Sequence, residues 1–582
     1  MSFSSGFGTG SSSGNRSGSG SLTGGDPGIG GGGTGAGSGP PGIDAQCMLL
    51  SSSWSMRSHL LNRSRVSGFR HCLQPEGTPR CDASFPLTQK GKFMALPVDA
   101  ENLSDASPVN PSEGGLLVPG RNCWRVEQAD RASVLVDGCD YFRHLEDALH
   151  KARRSIQIIG WDFDSRIRLR QDLSEEVSPP LGTLLRQLVE RHRDLRVDIL
   201  VWSLSLLHAP GETLPLLFGA EWQDHPRIRV KLDTFHPFYA AHHQKIVCID
   251  EKLAFVGGID LTVQRWDTPE HLVDDPRRLD PDGEPYAPVH DLQMVVDGDP
   301  AEALCRIVQE RHAKAGMDDA APKTCGPEPE RDLWPEGLLP AFRDTPVAIA
   351  RSEPSYRGRA EVHEAQTLNL DAIASAQRSI YIEAQYMTAK SIGKAIARRL
   401  AEQDGPEVVV VMTHESHGLL ERIVMGSNRD RLIRRLDKAD RQGRLRILFP
   451  VVPASEGEKQ VLVHSKLFIV DDRFIRIGSS NLNNRSIALD TECDLAVEAS
   501  DPERRLAIAT VRNRLLAEHL DCAPQAVADE IARSGSLISA VDRLNVQPRG
   551  LRPFEALRDK GSDEPTFATS VLDPKRPFGV SS

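Results

Sequence analysis

The feature that most constrains the fold is a short motif that the chain carries twice. Residues 241–251 read AHHQKIVCIDE, and residues 461–472 read VLVHSKLFIVDD. Each copy places a histidine, a lysine two positions later and an aspartate five positions after the lysine within an apolar run. The two histidines, His243 and His464, are 221 positions apart. That interval is the size of a domain, so the chain is predicted to contain two copies of one structural unit.

Further segments recur in the same order around the motif. In each half a helical stretch leads into a strand-like run, two apolar runs follow, and an Asp-Pro pair precedes another helix after the motif. The first-half members are residues 141–155, 156–164, 196–202, 227–233 and 299–300, and their counterparts are residues 369–379, 380–388, 407–413, 444–450 and 501–502. Strands that alternate with helices are typical of the α/β class. We therefore predict two homologous α/β halves, with mixed sheets flanked by helices, packed about a pseudo-twofold axis.

The length of 582 residues accommodates two such halves and additional segments. We place the first half at residues 120–330 and the second at residues 340–545. Residues 1–93 begin with a Gly/Ser-rich stretch that lacks the apolar content needed for a core, so this region is expected to be disordered. Residues 546–582 contain several prolines and are expected to form a C-terminal tail packed on the surface.

No run of the sequence approaches the roughly 18–20 apolar residues that a membrane-spanning helix requires. The N-terminus also lacks a basic start followed by an apolar segment, so no cleavable secretory signal is expected. Contact with a membrane is therefore predicted to be peripheral. The expected location is cytoplasmic or at a membrane surface, and secretion by an unconventional route stays open.

Strand geometry places the polar residues of each motif on defined faces. Side chains alternate along a strand, so His243 and Lys245 are expected to share one face, and His464 and Lys466 likewise. Each half then presents an imidazole and an ammonium group together, with apolar packing behind them. Asp250 and Asp471 follow at the strand ends on the opposite face, where they are expected to hold the next turn or a neighbouring basic group.

A small-residue turn follows each motif, GGID at 257–260 and GSSN at 478–481. Glycine permits close backbone approach, so a turn folded beside the His/Lys strand is expected to line the same pocket. Two such pockets meeting across the pseudo-twofold would surround one phosphodiester. The lysines would neutralise phosphate oxygens, one histidine would attack phosphorus, and the other would protonate the leaving alcohol. The predicted substrate contacts are Gly257, Gly258, Asp260, Ser479 and Asn481.

Less specific interpretations compete with this one. A single His-x-Lys pair on a strand is most often a partly exposed polar pair, and only the duplication argues otherwise. The adjacent histidines 242 and 243 suggest a metal site, but neighbouring strand residues point to opposite faces and no acidic or cysteine cluster completes a ligand set. We predict no metal and no cofactor. The ten cysteines are scattered, and Cys248 and Cys493 are expected to be small buried hydrophobic residues.

The segments HHQKIVCIDEKLAFVGGIDL and HSKLFIVDDRFIRIGSSNLNNRS resemble the paired His-x-Lys-x4-Asp signatures of the phospholipase D superfamily. IYIEAQYMT at 380–388 resembles the motif that precedes the second signature in phospholipase D enzymes proper. RWDT at 265–268, PVHDLQMVVDGDPA at 288–301 and LDPKRPF at 572–578 are also similar to that branch. The resemblance extends over roughly residues 120–578. It departs from many bacterial members in its Gly-Gly pair and Asp260, where those have Gly-Ser and asparagine.

The resemblance implies roles for individual residues. His243 is expected to be the nucleophile that forms a phosphohistidine, and His464 the general acid and then the base for water. Lys245, Lys466 and Asn481 are expected to bind phosphate. Asp291 and Glu492 stand at matching downstream positions, where the family orients each catalytic imidazole with an acid. Asp250 and Asp471 complete the two signatures and are counted with the catalytic residues on that ground.

The function that this resemblance implies is that of a phospholipase D, which cleaves the distal phosphodiester of a glycerophospholipid to phosphatidic acid and an alcohol. A phosphatidyltransferase of the cardiolipin-synthase kind, a nuclease and a non-catalytic lipid-binding module are alternatives. The net charge of −11 argues against nucleic acid as a partner, which usually requires a basic face. The expected partner is a phospholipid at a membrane surface. Because both half-sites lie in one chain, a monomer is expected.

Overall fold

The computed structural model describes residues 115–203, 220–237, 240–317, 331–414 and 419–554. The disorder expected for residues 1–93 lies outside these ranges, as does most of the predicted C-terminal tail. The described residues belong to one compact unit. The division into halves at 120–330 and 340–545 therefore stays a proposal.

Strands make up most of the regular structure near the repeated motifs. Their bounds are β1 (Arg125–Val136), β2 (Ser155–Gly160), β3 (Arg196–Trp202), β4 (Ile228–Asp233), β5 (Ile246–Ile249), β6 (Leu253–Gly257), β7 (Val289–His290), β8 (Leu292–Asp297), β9 (Phe342–Glu353), β10 (Val362–His363), β11 (Ser379–Ala384), β12 (Glu407–Met412), β13 (Leu445–Pro453), β14 (Glu458–Gln460), β15 (Leu462–Val463), β16 (Lys466–Val470), β17 (Phe474–Gly478), β18 (Glu492–Glu498) and β19 (Gly550–Pro553).

Helices connect and cover these strands. Their bounds are α1 (Asp137–Lys151), α2 (Leu181–Arg191), α3 (Asp299–Lys314), α4 (Glu364–Ser375), α5 (Lys390–Ala401), α6 (Leu419–Ala439), α7 (Asn484–Ala488), α8 (Pro502–Leu520), α9 (Pro524–Ser534) and α10 (Leu537–Leu544), with a 3-10 turn at Glu221–Gln223. Helices α3 and α8 both have a proline in the first turn, Pro300 and Pro502, where the missing N–H is not needed.

One large mixed sheet contains both series of strands. The order of adjacent strands in this sheet is β4, β3, β2, β5, β6, β8, β1, β9, β18, β17, β16, β11, β12 and β13. The long strands β1 and β9 pair antiparallel at the centre. On either side of them four antiparallel pairings are followed by the parallel strands β2–β3–β4 or β11–β12–β13. The mixed α/β class predicted from the sequence is confirmed.

Apolar side chains pack on both faces of this sheet in three clusters. One cluster joins residues of both halves, including those of α3 and α8, and it contains Cys248 and Cys493. The second packs α1 and α2 against the first-half strands, and the third packs α4 and α5 against the second-half strands. Both cysteines are free and buried, as the sequence predicts. In the described ranges no helix is long and apolar enough to cross a lipid bilayer.

Candidate active site

The two motif histidines lie just before strands rather than within them. Strand β5 begins at Ile246 and β16 begins at Lys466, so the strand predicted to carry the whole motif is shorter than expected. The reason is a change of hydrogen-bond partner. The His243 N–H donates to the Thr491 carbonyl at 3.0 Å, and the His464 N–H donates to the His290 carbonyl at 2.8 Å. Each histidine is therefore tied to the other half of the chain.

The imidazoles are paired with carboxylates across the two halves. His243 Nδ1 lies 2.9 Å from Glu492 Oε2, and His464 Nδ1 lies 2.6 Å from Asp291 Oδ2. Both carboxylates are buried. Such a bond holds each ring in the tautomer that leaves Nε2 facing outward. Both predicted acids thus meet an imidazole, but each meets the imidazole of the opposite half.

Short stretches of backbone pairing between the halves explain this crossing. Strand β15 pairs parallel with β7, which matches Val463 with His290 immediately before His464 and Asp291. The equivalent contact is the bridge between His242 and Thr491, just before His243 and Glu492. Because the backbone fixes this register twice, the side chains that follow face each other in both places.

The two lysines are buried beside the imidazoles but differ in their partners. Lys245 Nζ lies 3.0 Å from Asp260 Oδ2 and donates to the His243 carbonyl at 3.1 Å. Lys466 Nζ donates to the His464 carbonyl and lies 3.2 Å from His464 Nδ1. Within the described part of the chain no carboxylate oxygen lies within 4.0 Å of Lys466 Nζ. Its charge is available for an anionic ligand.

The aspartates that complete the signatures do not belong to the chemical centre. Asp250 accepts the N–H groups of Arg153, Arg154 and Ser155 at 2.7–2.9 Å, and Asp471 accepts those of Gln377, Arg378 and Ser379 at 2.6–2.8 Å. Each carboxylate fixes the start of the neighbouring strand, β2 or β11. This geometry agrees with the structural role expected from their place at the strand ends. It gives no support to counting Asp250 and Asp471 with the catalytic residues, because their oxygens are occupied by backbone donors.

The small-residue turns support the carboxylates more than they line a pocket. A Cβ built on Gly258 would lie 2.1 Å from Asp291 Oδ1, and one on Gly257 would lie 2.3 Å from Leu292 O. The buried Ser479 hydroxyl donates to Glu492 Oε2 at 2.5 Å. Gly257, Gly258 and Ser479 were predicted to contact substrate, and this assignment is corrected, because close packing and an internal hydrogen bond occupy them.

The last residues of the two turns, Asp260 and Asn481, differ in their contacts. Asp260 holds Lys245 and also accepts the Trp161 N–H at 2.9 Å. Asn481 stands at the matching place in the second half, and its Oδ1 is buried with no hydrogen-bond partner among the described residues. The first half therefore pairs its lysine with a carboxylate, whereas the lysine of the second half contacts only His464 among the described residues.

Burial sets the charge state of the centre. Burial, reinforced by the two lysines, holds the pKa of His243 well below its ordinary value, and burial beside Lys466 lowers the pKa of His464 to about 3. Burial raises the pKa of Glu492 to about 8 and lowers that of Lys466 to about 8. Burial also acts to raise the pKa of Asp291, but His464 and Lys466 outweigh it and lower the pKa overall. The two carboxylates are thus unlike in charge near neutral pH.

Arg265 is a basic residue of the site that sequence reasoning passed over, although its segment was noted for its resemblance. Its positive charge makes a minor contribution to the lowered pKa values of His464 and Lys466, after burial and nearer charged groups. Its Nε is buried with no hydrogen-bond partner among the described residues. Arg265 also lines a cleft of about 370 Å³ together with Phe142, Trp266 and Tyr286. The lining of this cleft thus combines aromatic and cationic side chains.

Family models match two overlapping parts of the chain. The model described as "Phospholipase D" matches residues 148–395, and the model described as "Cardiolipin synthase, PLD-like domain" matches residues 370–510. Together they include both motif histidines, both motif lysines, and the carboxylates of Asp291 and Glu492, each of which contacts the histidine of the other half.

Curated relatives agree with these matches. Phospholipase D A of Dictyostelium discoideum is 26% identical over 490 residues, which is 69% of this chain and 37% of the relative. Phospholipase D gamma 1 of Arabidopsis thaliana is 25% identical over 68% of this chain and 64% of the relative. The chain therefore spans less than two thirds of the length of these relatives. Among solved structures, the phosphatidylserine synthase of Haemophilus influenzae aligns with a TM-score of 0.46 and 12% identity, covering 73% of this chain and 96% of that one.

Proposed function

This chain belongs to the phospholipase D superfamily, and we propose that it hydrolyses the distal phosphodiester bond of a glycerophospholipid. The observation that carries the proposal is the crossed arrangement of two imidazoles, each bonded through Nδ1 to a buried carboxylate and flanked by a buried ammonium group. That arrangement supplies one nucleophile and one proton donor for a single phosphate. The products are phosphatidic acid and the head-group alcohol.

In the first step Nε2 of His243 attacks phosphorus while the bond from phosphorus to the head-group oxygen breaks. His464 gives its Nε2 proton to that oxygen, so the alcohol leaves neutral. Burial and Lys466 lower the pKa of His464 to about 3, so the imidazolium form that this step requires must be stabilised in the complex. The negative charges of Asp291 and of the bound phosphodiester, which offsets Lys466, supply that stabilisation. The covalent intermediate is a phosphohistidine on His243.

In the second step a water molecule gives a proton to the now neutral His464 and attacks phosphorus. The P–N bond to His243 breaks, and phosphatidic acid is released. Lys466 supplies positive charge for the non-bridging oxygens in both steps, and Lys245, held by Asp260, and Arg265 add to it. The Asn481 amide is a further candidate contact of the same phosphate. An alcohol that takes the place of water would yield a phosphatidyl alcohol by the same bond changes.

Phospholipids are presented at a membrane surface, so we infer peripheral binding there by a monomer that holds both half-sites. The cleft beside Arg265, with its aromatic and cationic lining, is the surface that suits the glycerol end or the head group of a lipid.

The test is an assay of the full chain on phosphatidylcholine vesicles with and without a primary alcohol. Phosphatidic acid is expected without alcohol, and a phosphatidyl alcohol in addition when it is present. Phosphatidyl alcohol alone would favour the transferase alternative. DNA degradation with no product from any phospholipid would refute the proposal.

Two variants and a control extend this assay to the named histidines. His243→Asn is expected to abolish product and the covalent intermediate alike. His464→Asn is expected to lower turnover by at least about a thousandfold, because both proton transfers are lost. With a substrate whose alcohol leaves readily, the same variant should accumulate phosphohistidine. His192→Asn, a half-exposed histidine at the end of α2, is the control and should retain wild-type turnover.

A further inference from the structure

A second group of ionisable side chains lies buried behind the catalytic centre. Asp137 begins α1, His271 lies in the loop after the first motif, His290 ends β7 and Glu518 belongs to α8. We call these four residues the buried His/carboxylate cluster. Their side chains are at most 5% exposed, and one ligand atom from each lies within 4.8 Å of the others. The catalytic mechanism uses none of them.

The donor atoms converge with the spacing of a tetrahedral site. His290 Nδ1 lies 3.0 Å from Asp137 Oδ1 and 2.9 Å from Glu518 Oε1. His271 Nε2 lies 3.2 Å from Glu518 Oε1 and 3.8 Å from Asp137 Oδ2. A tetrahedron with metal–ligand bonds of about 2.0–2.1 Å has edges of about 3.3–3.4 Å. The observed distances bracket that edge length.

The outer nitrogens of both cluster histidines are bonded to further carboxylates. His271 Nδ1 lies 2.9 Å from Asp267 Oδ2, and His290 Nε2 lies 2.9 Å from Glu383 Oε2. Asp267 is fixed by Arg278, whose Nη1 donates to it at 2.8 Å. Histidines that bind metals almost always have such a partner, because it fixes the tautomer and directs the free nitrogen toward the ion. Here both free nitrogens point into the same space.

Two buried polar atoms of the cluster lack a satisfactory hydrogen bond. Asp137 Oδ2 and His290 Nδ1 are buried and have no hydrogen-bond partner of good geometry among the described residues. Asp137 also has a φ of 66°, a backbone conformation that a residue other than glycine adopts at a cost in energy. No lysine or arginine nitrogen within the described ranges lies within 4.0 Å of the carboxylates of Asp137 or Glu518. Buried carboxylates of this kind require a compensating positive charge, which must come from the cluster histidines as imidazolium or from a bound cation.

We propose that the buried His/carboxylate cluster binds one divalent transition-metal ion, and that zinc is the ion that fits it best. Two imidazole nitrogens and two carboxylate oxygens suit zinc, and four protein ligands with no open position are typical of a structural rather than a catalytic site. The ion would join Glu518 of the second half to Asp137, His271 and His290 of the first.

Its place beside the catalytic centre gives the ion a positioning effect. His290 precedes Asp291, and the Asp137 N–H donates to the Asp291 carbonyl at 2.9 Å. Ser465, between the catalytic His464 and Lys466, donates to Glu383, the carboxylate that orients His290. The metal would therefore stabilise the backbone on which the pair of Asp291 and His464 depends, without contacting substrate.

The decisive measurement is the metal content of the purified full chain by inductively coupled plasma mass spectrometry. About one zinc per chain is expected after growth with zinc and removal of loosely bound ions. Metal-free protein, prepared with a chelator, should bind one Co²⁺ and develop the visible absorption of a tetrahedral site. A folded chain that binds neither ion overturns the proposal and favours a network of protonated histidines instead.

Matched variants locate the ion. His271→Asn is expected to bring zinc below about a tenth of an ion per chain, and Glu383→Gln to weaken zinc affinity by about 10–100-fold. His312→Asn, which removes a buried histidine on α3 outside the cluster, should keep full metal content. Full metal content in His271→Asn would contradict the assignment. If that variant does not fold, the cobalt spectrum of the unmodified chain still decides, and metal content is independent of whether phospholipid is cleaved.

Discussion

Replacing Asp471 by asparagine tests whether the last residue of the second signature acts in folding or in chemistry. Its Oδ1 accepts the N–H groups of Arg378 and Ser379 at 2.7 and 2.8 Å, and its Oδ2 accepts that of Gln377 at 2.6 Å. An asparagine keeps one acceptor oxygen and turns a donor toward the third N–H. One charge-assisted bond is lost, and two become neutral.

The expected cost follows from these bonds. A hydrogen bond to a charged group contributes about 1.5–3 kcal/mol, and a neutral one about 0.5–1.5 kcal/mol. Loss of one and weakening of two gives a decrease of about 3–5 kcal/mol in the free energy of unfolding. Total stabilities are about 5–15 kcal/mol, so the variant should fold but unfold at lower urea concentration. Turnover per folded molecule should stay within about threefold of wild type, because neither oxygen reaches an imidazole.

Asp440 offers a matched control for this experiment. It lies outside both signatures, yet its carboxylate also accepts three backbone N–H groups, those of Gln442, Arg444 and Leu445 at 2.9–3.3 Å. Asp440→Asn and Asp471→Asn should therefore behave alike, with lower urea midpoints and intact turnover. A thousandfold loss of turnover in Asp471→Asn at unchanged stability would refute the reasoning and restore a chemical role for that residue.

Two other changes probe the crossed pairs. Gly258→Ala places a Cβ 2.1 Å from Asp291 Oδ1, so the substitution should displace that carboxylate. We expect kcat to fall about 10–100-fold with little change in KM. An unchanged kcat would contradict the role of this contact. Burial raises the pKa of Glu492 to about 8. Below that pH, Glu492 and His243 together hold one more proton, and that proton can occupy Nε2 of His243, so that this nitrogen cannot attack phosphorus. The kcat/KM of wild type should therefore rise about tenfold per pH unit toward pH 8, and Glu492→Gln should lose this rising limb; a limb that persists in the variant would exclude Glu492 as its origin.

Much of the fold can be predicted from short patterns in the sequence. The run predicted as a strand at 196–202 coincides with β3, and the valine-rich run at 407–413 with β12. The repeated order of these elements predicts that the two halves have the same fold, since similar segments fold into similar units. His243, Lys245, His464 and Lys466 could be selected for the same reason, because a repeated polar pattern inside an apolar run is visible without knowledge of contacts.

The remainder depends on contacts between distant parts of the chain. The family resemblance implied that Asp291 and Glu492 orient the histidines, but the choice of partner depends on the pairing of β7 with β15, which two-residue strands do not reveal in the sequence. The residues of the buried His/carboxylate cluster lie between positions 137 and 518 of the sequence, so no local motif predicts the cluster. The role of Asp250 was ambiguous, because a signature residue that binds backbone looks the same in sequence as one that binds substrate.

The crossed pairs also make the order of synthesis matter. Glu492 follows His243 by 249 residues, so a growing chain that has completed its first half holds a nucleophile without its orienting carboxylate. The proposed activity can therefore arise only after the second half has been synthesised and has folded against the first. If the two halves are copies of one ancestral unit, that unit could have formed a complete centre only as a symmetric pair of identical chains.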